Sequence, residues 1–122
     1  MKKLLLVISG VGFSLSALAA PVKIVAAENF YGELAHEIGG NNVAVTSIIS
    51  NPDADPHLFA TSPKTSQSLA QAQIIIYNGA DYDAWMEQML TTVNKNQVII
   101  INVADLMKIK TGANPHIWYQ PA

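Results

Sequence analysis

Two histidines lie in polar loops directly after prolines, in the segments Asp55-Pro56-His57 and Asn114-Pro115-His116. Neutral imidazole is a favoured ligand of zinc and of other first-row divalent ions. The preceding proline restricts the backbone and so stiffens the loop that presents each ring. We predict that His57 and His116 bind one metal ion together. The alternative for each is an ordinary exposed or hydrogen-bonded loop histidine.

Other titratable residues near these loops give weaker signals. Asp53 and Asp55 precede His57, and they either keep the loop solvated or accept a hydrogen bond from the second ring nitrogen of the histidine. Glu28 faces the same region, but nothing in its spacing marks it as a ligand. His36 lies inside a predicted helix, where we interpret it as an exposed residue. The predicted site therefore consists of the two loop histidines and includes no catalytic residue.

From residue 22 onward, short apolar runs alternate with amphipathic segments. The apolar runs are too continuous for strands with one solvated face, and such runs are typical of a parallel sheet covered by helices on both sides. Helix caps are expected at Asn29, Ser62 and Asp81. The predicted strands are 22–27, 43–49, 73–77 and 97–102, and the predicted helices are 30–38, 63–72 and 82–93.

This order of elements predicts an α/β fold, a four-stranded parallel sheet flanked by helices. The strands alternate with helices, so the connections between them are expected to be right-handed crossovers. Ligands of such sheets bind beyond the carboxyl ends of the strands. His57 follows the second predicted strand and His116 follows the fourth, so both loops open at the same edge of the sheet. The two imidazoles are therefore expected to converge.

Residues 1–19 have the three parts of an export signal: two lysines, an apolar run over residues 4–13, and small residues before a cleavage position after Ala19. A membrane anchor is the alternative, but the run is short and is broken by serine and glycine. We expect a signal peptide at 1–19 and one domain at 20–122. The chain contains no cysteine, so we expect a soluble periplasmic product without disulfides, thiolate ligands or a lipid anchor.

The charge balance argues against nucleic acid as a partner. Residues 20–122 carry five lysines against nine carboxylates, with no basic stripe and no interleaved aromatic residues. The sequence also lacks a Gly-x-Gly-x-x-Gly turn, a phosphate-binding Gly-Lys-Ser/Thr loop, a Gly-x-Ser-x-Gly elbow and a His-Glu-x-x-His helix. These absences leave the two histidines as the residues that indicate a function.

Four segments of the chain form a recognisable series: 25–31 (VAAENFY), 55–59 (DPHLF) with Ser62-Pro63 after it, 77–85 (YNGADYDAW) and 114–118 (NPHIW). In this order and spacing the chain resembles the periplasmic zinc- and manganese-binding receptors of ABC transporters, the cluster A-I solute-binding proteins. The resemblance covers essentially the whole chain after the predicted signal. The two Pro-His loops on either side of the Asn-Gly segment are its most specific part.

The resemblance implies a two-lobed receptor of the helical-backbone type, in which metal is bound between the lobes. His57 and His116 match two of the ligands, and a further histidine and a carboxylate would come from a second lobe. Since this sequence holds only the first lobe, we interpret it as a fragment or a truncated product that binds metal weakly. The expected function is capture of a divalent metal, zinc first with Mn²⁺ or Fe²⁺ as alternatives, and its delivery to an ABC permease. We expect a monomer that is not an enzyme.

Two other functions stay open as alternatives. A small α/β metallohydrolase would use the same two histidines to activate water, but it needs a general base beside an open metal position. The sequence places no carboxylate convincingly for that role. An adhesin or structural surface protein ranks lower, because a soluble chain without an anchor is poorly suited to adhesion.

Overall fold

The computed structural model describes residues 18–119 of the chain. The predicted signal peptide, residues 1–19, lies outside the described residues except for its last two positions. None of the helices between residues 18 and 119 has the length and apolar character that a bilayer crossing requires.

Four parallel strands form one sheet in the order β2-β1-β3-β4, which confirms the predicted fold class. Valine and isoleucine dominate these strands, and their branched side chains suit a pleated surface that is covered on both faces. The last strand starts two residues later than predicted, because the backbone N–H of Gln97 closes a turn with the carbonyl of Asn94 at 3.0 Å. The strands are β1 (Val22–Glu28), β2 (Val43–Ile49), β3 (Ile74–Tyr77) and β4 (Ile99–Asn102).

Helices connect the strands and begin close to the predicted positions. The second helix starts after Ser62, whose hydroxyl accepts from the backbone N–H of Thr65 while the Thr65 hydroxyl accepts from the N–H of Ser62. The predicted cap at Asn29 is wrong, because Asn29 is already the first residue of its helix and Glu28 precedes it without a side-chain cap. The helices are α1 (Asn29–Gly39), α2 (Pro63–Ala70), α3 (Ala84–Leu90) and α4 (Val103–Leu106).

The helix α3 is shorter than the predicted 82–93. Gly79, Ala80 and Asp81 all have positive φ angles, so the chain makes a left-handed turn where a cap at Asp81 was predicted. At the other end, the hydroxyls of Thr91 and Thr92 donate to the carbonyls of Gln88 and Met89, which fall in the last turn. These bonds satisfy carbonyl groups that a longer helix would use, and α3 ends at Leu90.

The two faces of the sheet are covered by different helices. α1 packs against β1 and β2 on one face. On the other face the main core joins residues of β1 and β3 to α2 and α3, and its largest fully buried members are Leu69, Ile75 and Met86. In the order β2-β1-β3-β4, the connection after β1 leads to one side of the sheet and the connection after β3 leads to the other. A crevice opens between the carboxyl ends of β1 and β3, the position at which sheets of this kind bind ligands.

Candidate functional site

His57 is presented by a short 3-10 turn, Pro56–Leu58, in the loop after β2. Pro56 is buried and anchors the turn, while about half of the His57 side chain is exposed. The Oδ1 atom of Asp55 accepts from the backbone N–H of His57 at 2.9 Å and lies 3.0 Å from its Nδ1 atom. The backbone bond, and after it the imidazole bond, holds the pKa of Asp55 below its usual value.

His116 is presented in the same way in the loop after β4. The Oδ1 atom of Asn114 accepts from the backbone N–H of His116 at 3.0 Å and lies 2.8 Å from its Nδ1 atom. Ile117, the next residue, is buried against Ala80 and Ala104 and fixes the loop from below. Each histidine is therefore held by the oxygen of the residue two positions before it.

These bonds determine which nitrogen of each ring is free. The oxygen of Asn114 already accepts from a backbone N–H, so it is an acceptor and the Nδ1 atom of His116 must carry the proton. The same holds for His57, because an ionised Asp55 can only accept. In its neutral form, each ring therefore has the proton on Nδ1 and a lone pair on Nε2. A neutral imidazole oriented through its second nitrogen is the usual state of a metal-bound histidine.

The two imidazoles share Tyr82 as a neighbour. The ring centroid of Tyr82 lies 5.4 Å from that of His57 and 5.9 Å from that of His116, both in edge-on geometry. Trp118 lies over the same tyrosine at 4.8 Å and stacks on Phe30 at 4.4 Å. Although His57 and His116 are far apart in the sequence, the structure brings both against one aromatic ring. Both histidine loops therefore lie at the same edge of the sheet, each with its imidazole against Tyr82, and the shared metal stays a prediction.

A pair of buried carboxyl groups lies at the crevice between β1 and β3. Asp83 is fully buried, and its two oxygens accept from the backbone N–H groups of Asn78 and Gly79 at 2.7 and 2.9 Å. Glu28 is 1% exposed, and within residues 18–119 neither of its oxygens has a hydrogen-bond donor. Burial, and next the charge of Asp83, raises the pKa of Glu28 far above its usual value. We infer that Glu28 holds a proton and that Asp83 carries the charge.

A cavity of about 350 Å³ opens beside the histidine loops. Its walls include Glu28, Phe30, Pro56, Tyr82 and Trp118. Burial is the largest cause of the raised pKa of Tyr82, so the phenol stays protonated at neutral pH and offers no phenolate to a metal. The cavity is therefore a largely aromatic recess with a neutral carboxyl group in its wall.

The described residues supply only part of a metal site. Among residues 18–119 no three histidine, aspartate or glutamate side chains are grouped closely enough to hold an ion. The predicted site residues His57 and His116 both contact Tyr82, whereas His36 lies exposed on α1, as predicted. The backbone N–H of Asp53 donates to the side chain of Asn51, whereas the carboxylate of Asp55 is the partner of the His57 ring. Two oriented imidazoles can bind a divalent ion but leave its other positions to water or to other donors.

Sequence reasoning missed three residues of this region. In the sequence, Asn78 stands out only as part of the segment 77–85 of the resemblance, Tyr82 only as the first residue of a predicted helix, and Glu28 only as a residue facing the same region. An asparagine directly after a strand at the reversal of strand order was an available signal, since that position lies at the ligand edge. No sequence signal would have placed Tyr82 beside both histidines.

Comparison with known proteins gives a consistent result. Residues 24–122 match the family model ZnuA, described as the periplasmic component A of a zinc-uptake complex. The manganese-binding lipoprotein MntA of Bacillus subtilis is 27% identical over 105 residues, which are 80% of this chain and 34% of MntA. The iron-binding protein YfeA of Yersinia pestis is 27% identical over 114 residues, which are 88% of this chain and 36% of YfeA. The chain thus spans about a third of the length of these curated relatives.

The fold is also found among solved structures. The Zn(II)-bound ZnuA-like domain of Streptococcus pneumoniae AdcA superposes with a TM-score of 0.69 at 23% sequence identity, over 81% of this chain and 38% of that one. The chain corresponds to about one lobe of such two-lobed receptors. None of the proteins named here is a hydrolase, and the comparisons give the metallohydrolase alternative no support.

Proposed function

The chain belongs to the ZnuA family, and on that premise we propose that it binds a divalent transition metal in the periplasm and serves the membrane permease of an ABC importer. The observation that carries this proposal is the matched presentation of His57 and His116, each with Nδ1 tied and Nε2 free. Transport requires capture and release of an ion, and neither step needs a reacting group. A general base, which a hydrolase would need, is not part of this proposal.

The proposed ligand atoms are the Nε2 atoms of His57 and His116. Both side chains are exposed at the carboxyl edge of the sheet, where an ion can reach them from solvent. The nearby aspartates Asp53 and Asp55 make this edge negative, which favours the approach of a cation. Asp55 is not proposed as a ligand, because its Oδ1 atom is engaged by His57.

Zinc is the proposed ion, with Mn²⁺ and Fe²⁺ as the alternatives. Imidazole binds zinc more strongly than manganese or iron in the general order of divalent affinities, and the family is described by zinc uptake. The relatives compared above are named for manganese and iron. Affinity order alone does not set the ion that is carried in the cell, since geometry and supply also contribute.

The site within residues 18–119 is proposed to be half of a complete one. A closed structural zinc site contributes about 10 to 16 kcal/mol of apparent binding free energy, and two imidazoles retain only part of that. We propose that the further ligands come from a second lobe like that of the two-lobed receptors. We propose a monomeric periplasmic receptor that carries no lipid, in contrast to MntA, which is named a lipoprotein; the 122 residues hold no cysteine for such an anchor.

Calorimetric titration of the purified chain with Zn²⁺, and then with Mn²⁺, tests the proposal. We expect weak one-to-one binding that is at least tenfold weaker in His57→Ala and in His116→Ala. The control is His36→Ala, which removes the third, exposed histidine of α1 and should leave the affinity unchanged. Equal losses in all three variants, or binding that survives removal of both loop histidines, would exclude the proposed ligands.

A further inference from the structure

Asn78 occupies the first position after β3 and is fully buried. Its side-chain Oδ1 atom accepts from the hydroxyl of Tyr31 at 2.6 Å. Its Nδ2 atom donates to the carbonyl of Gly79 at 3.0 Å and to the carbonyl of Pro115 at 2.8 Å. One side chain thus joins α1, the turn after β3 and the loop that carries His116.

The backbone of Asn78 is held as firmly as its side chain. Its N–H donates to the Asp83 carboxylate at 2.7 Å, and its carbonyl accepts from the N–H of Ala104 in α4 at 2.9 Å. The neighbouring Gly79 donates to the same carboxylate. Asn78 cannot shift without breaking several buried bonds, each of which leaves an unpaired polar group. It is therefore a fixed point at the edge of the sheet.

The loop that carries His116 depends on this point. Within residues 18–119, residues 111–119 make two hydrogen bonds to the rest of the fold: a local turn bond from the Ala113 N–H to the Lys110 carbonyl at 3.0 Å, and the long-range bond from Asn78 to Pro115. The other bonds of the segment are local, such as that from Ile117 N–H to the same Pro115 carbonyl at 2.8 Å. The carbonyl that Asn78 binds belongs to Pro115, directly before His116. The position of this carbonyl therefore sets the position of the His116 backbone, from which the imidazole extends.

We propose that Asn78 is the positioning residue of His116, fixing the loop so that the Nε2 atom of that ring faces the shared site. The proposal rests on the proposed function in that His116 has a metal to bind. Asn78 positions His116 only, because the described residues show no bond between Asn78 and the loop of His57. That loop is held by Asp55 and by buried Pro56. His57 is therefore an internal reference.

Side-chain nitrogen-15 spectra of the metal-free chain test the proposal. They identify the protonated ring nitrogen of each histidine. In Asn78→Ala we expect the His116 signals to shift and to lose the pure Nδ1–H pattern, with His57 and His36 unchanged. Tyr31→Phe is the matched control, since it removes one bond of Asn78 but leaves the bond to Pro115, and it should alter His116 little. Zn²⁺ affinity should fall by about tenfold or more in Asn78→Ala, the range typical for residues behind a metal ligand.

The outcomes separate this proposal from the proposed function. An intact fold with unchanged His116 signals would overturn the positioning role, and equal changes at both histidines would reduce Asn78 to a structural residue. A shifted His116 with unchanged Zn²⁺ affinity would support positioning and contradict His116 as a ligand. If Asn78→Ala does not fold, hydrogen exchange of the wild-type chain tests the proposal instead. The side-chain amide protons of Asn78 should then exchange slowly with solvent, and rapid exchange would refute the bond to Pro115.

Discussion

The Oδ1 atom of Asn114 binds the backbone N–H and the Nδ1 atom of His116 at the same time, at 3.0 and 2.8 Å. Asp55 makes the corresponding pair of contacts with His57. One contact orients the loop and the other sets the tautomer of the ring. Two residue types, an amide and a carboxylate, thus perform one task in two loops.

Removal of these oxygens should weaken metal binding without unfolding the chain. In Asp55→Ala or Asn114→Ala the freed Nδ1 atom no longer has to carry the proton, and the ring becomes a mixture of tautomers and orientations. We expect Zn²⁺ affinity to fall by about tenfold or more in each variant. Calorimetry gives the affinity, and nitrogen-15 spectra give the tautomer.

The chain itself offers the matched controls. Asp55→Asn and Asn114→Asp each place in one loop the residue type that the other loop uses, so an acceptor oxygen remains. Both should keep the Nδ1–H tautomer and most of the affinity. An affinity loss in these exchanges as large as in the alanine variants would mean that the acceptor oxygen is not the feature that matters.

The aromatic ring of Tyr82 should matter more than its hydroxyl. Tyr82→Phe keeps the edge-on contacts with His57 and His116 and should leave Zn²⁺ affinity within about twofold, since the phenol is not a proposed ligand. Tyr82→Leu removes these contacts and those with Trp118, with a stability cost of about 1 kcal/mol for each aromatic pair. Proton shifts of both imidazoles should move in the leucine variant. If the phenylalanine variant loses the same affinity, the hydroxyl itself contributes to the site.

The buried Glu28 should make the free energy of unfolding depend on pH. Its pKa rises from 4.5 to about 9 on folding, mainly through burial and next through the charge of Asp83. The folded state therefore keeps a proton that the unfolded state loses, and this contribution is complete below pH 4.5 and is lost as pH rises towards 9. The loss is at most about 1.4 kcal/mol per pH unit.

Glu28→Gln replaces the protonated carboxyl by a neutral amide and should remove this dependence. We expect the variant to gain stability over the wild type between pH 5 and pH 9, measured by urea unfolding. Glu33→Gln, at an exposed position of α1, is the control and should run parallel to the wild type. A Glu28→Gln curve parallel to the wild type across this range would show that Glu28 is ionised in the folded chain.

Among the described glycines with positive φ, Gly79 should be the least replaceable. It has φ of 75°, and a Cβ atom there would overlap the side-chain amide of Asn102. That amide accepts from Asp105 N–H at 3.2 Å and donates to the Tyr77 hydroxyl at 3.0 Å, so its displacement breaks the cap of α4.

We expect Gly79→Ala to lower the free energy of unfolding by more than about 2 kcal/mol, of which about 1 kcal/mol is backbone strain. Gly112→Ala isolates that strain, because Gly112 has φ of 86° with no atom near the added carbon. Urea unfolding of both variants gives the comparison. Equal losses in the two variants would show that contact with Asn102 has no cost.

Much of the sheet could be predicted from the sequence, because runs such as Val43–Ile49 hold β-branched residues that admit few other structures. The shared edge of His57 and His116 followed from the parallel order of the strands. The left-handed angles of Ala80 and Asp81 could not be predicted, because alanine rarely adopts them and even aspartate does so as a single residue. Tertiary bonds, above all those of Asp83 with Asn78 and Gly79, impose that conformation.

The remaining part of the site is formed by distant partners. The Asn78 side chain is bonded to Tyr31 and to Pro115, at separations of 47 and 37 residues. No local pattern encodes such pairs, since each residue taken alone fits an ordinary helix or loop. The protonated state of Glu28 likewise depends on burial beside Asp83, which only the folded chain provides.

The orientation of both rings by their own loops has a kinetic consequence. Because neither imidazole has to turn or change its tautomer when an ion arrives, this edge of the molecule needs no rearrangement to accept one. The rate of capture should then follow the rate at which the hydrated ion sheds water, and should differ between metals in that order. Release of the ion should require only the breaking of its two bonds to imidazole nitrogens, so metal exchange at this edge should be rapid.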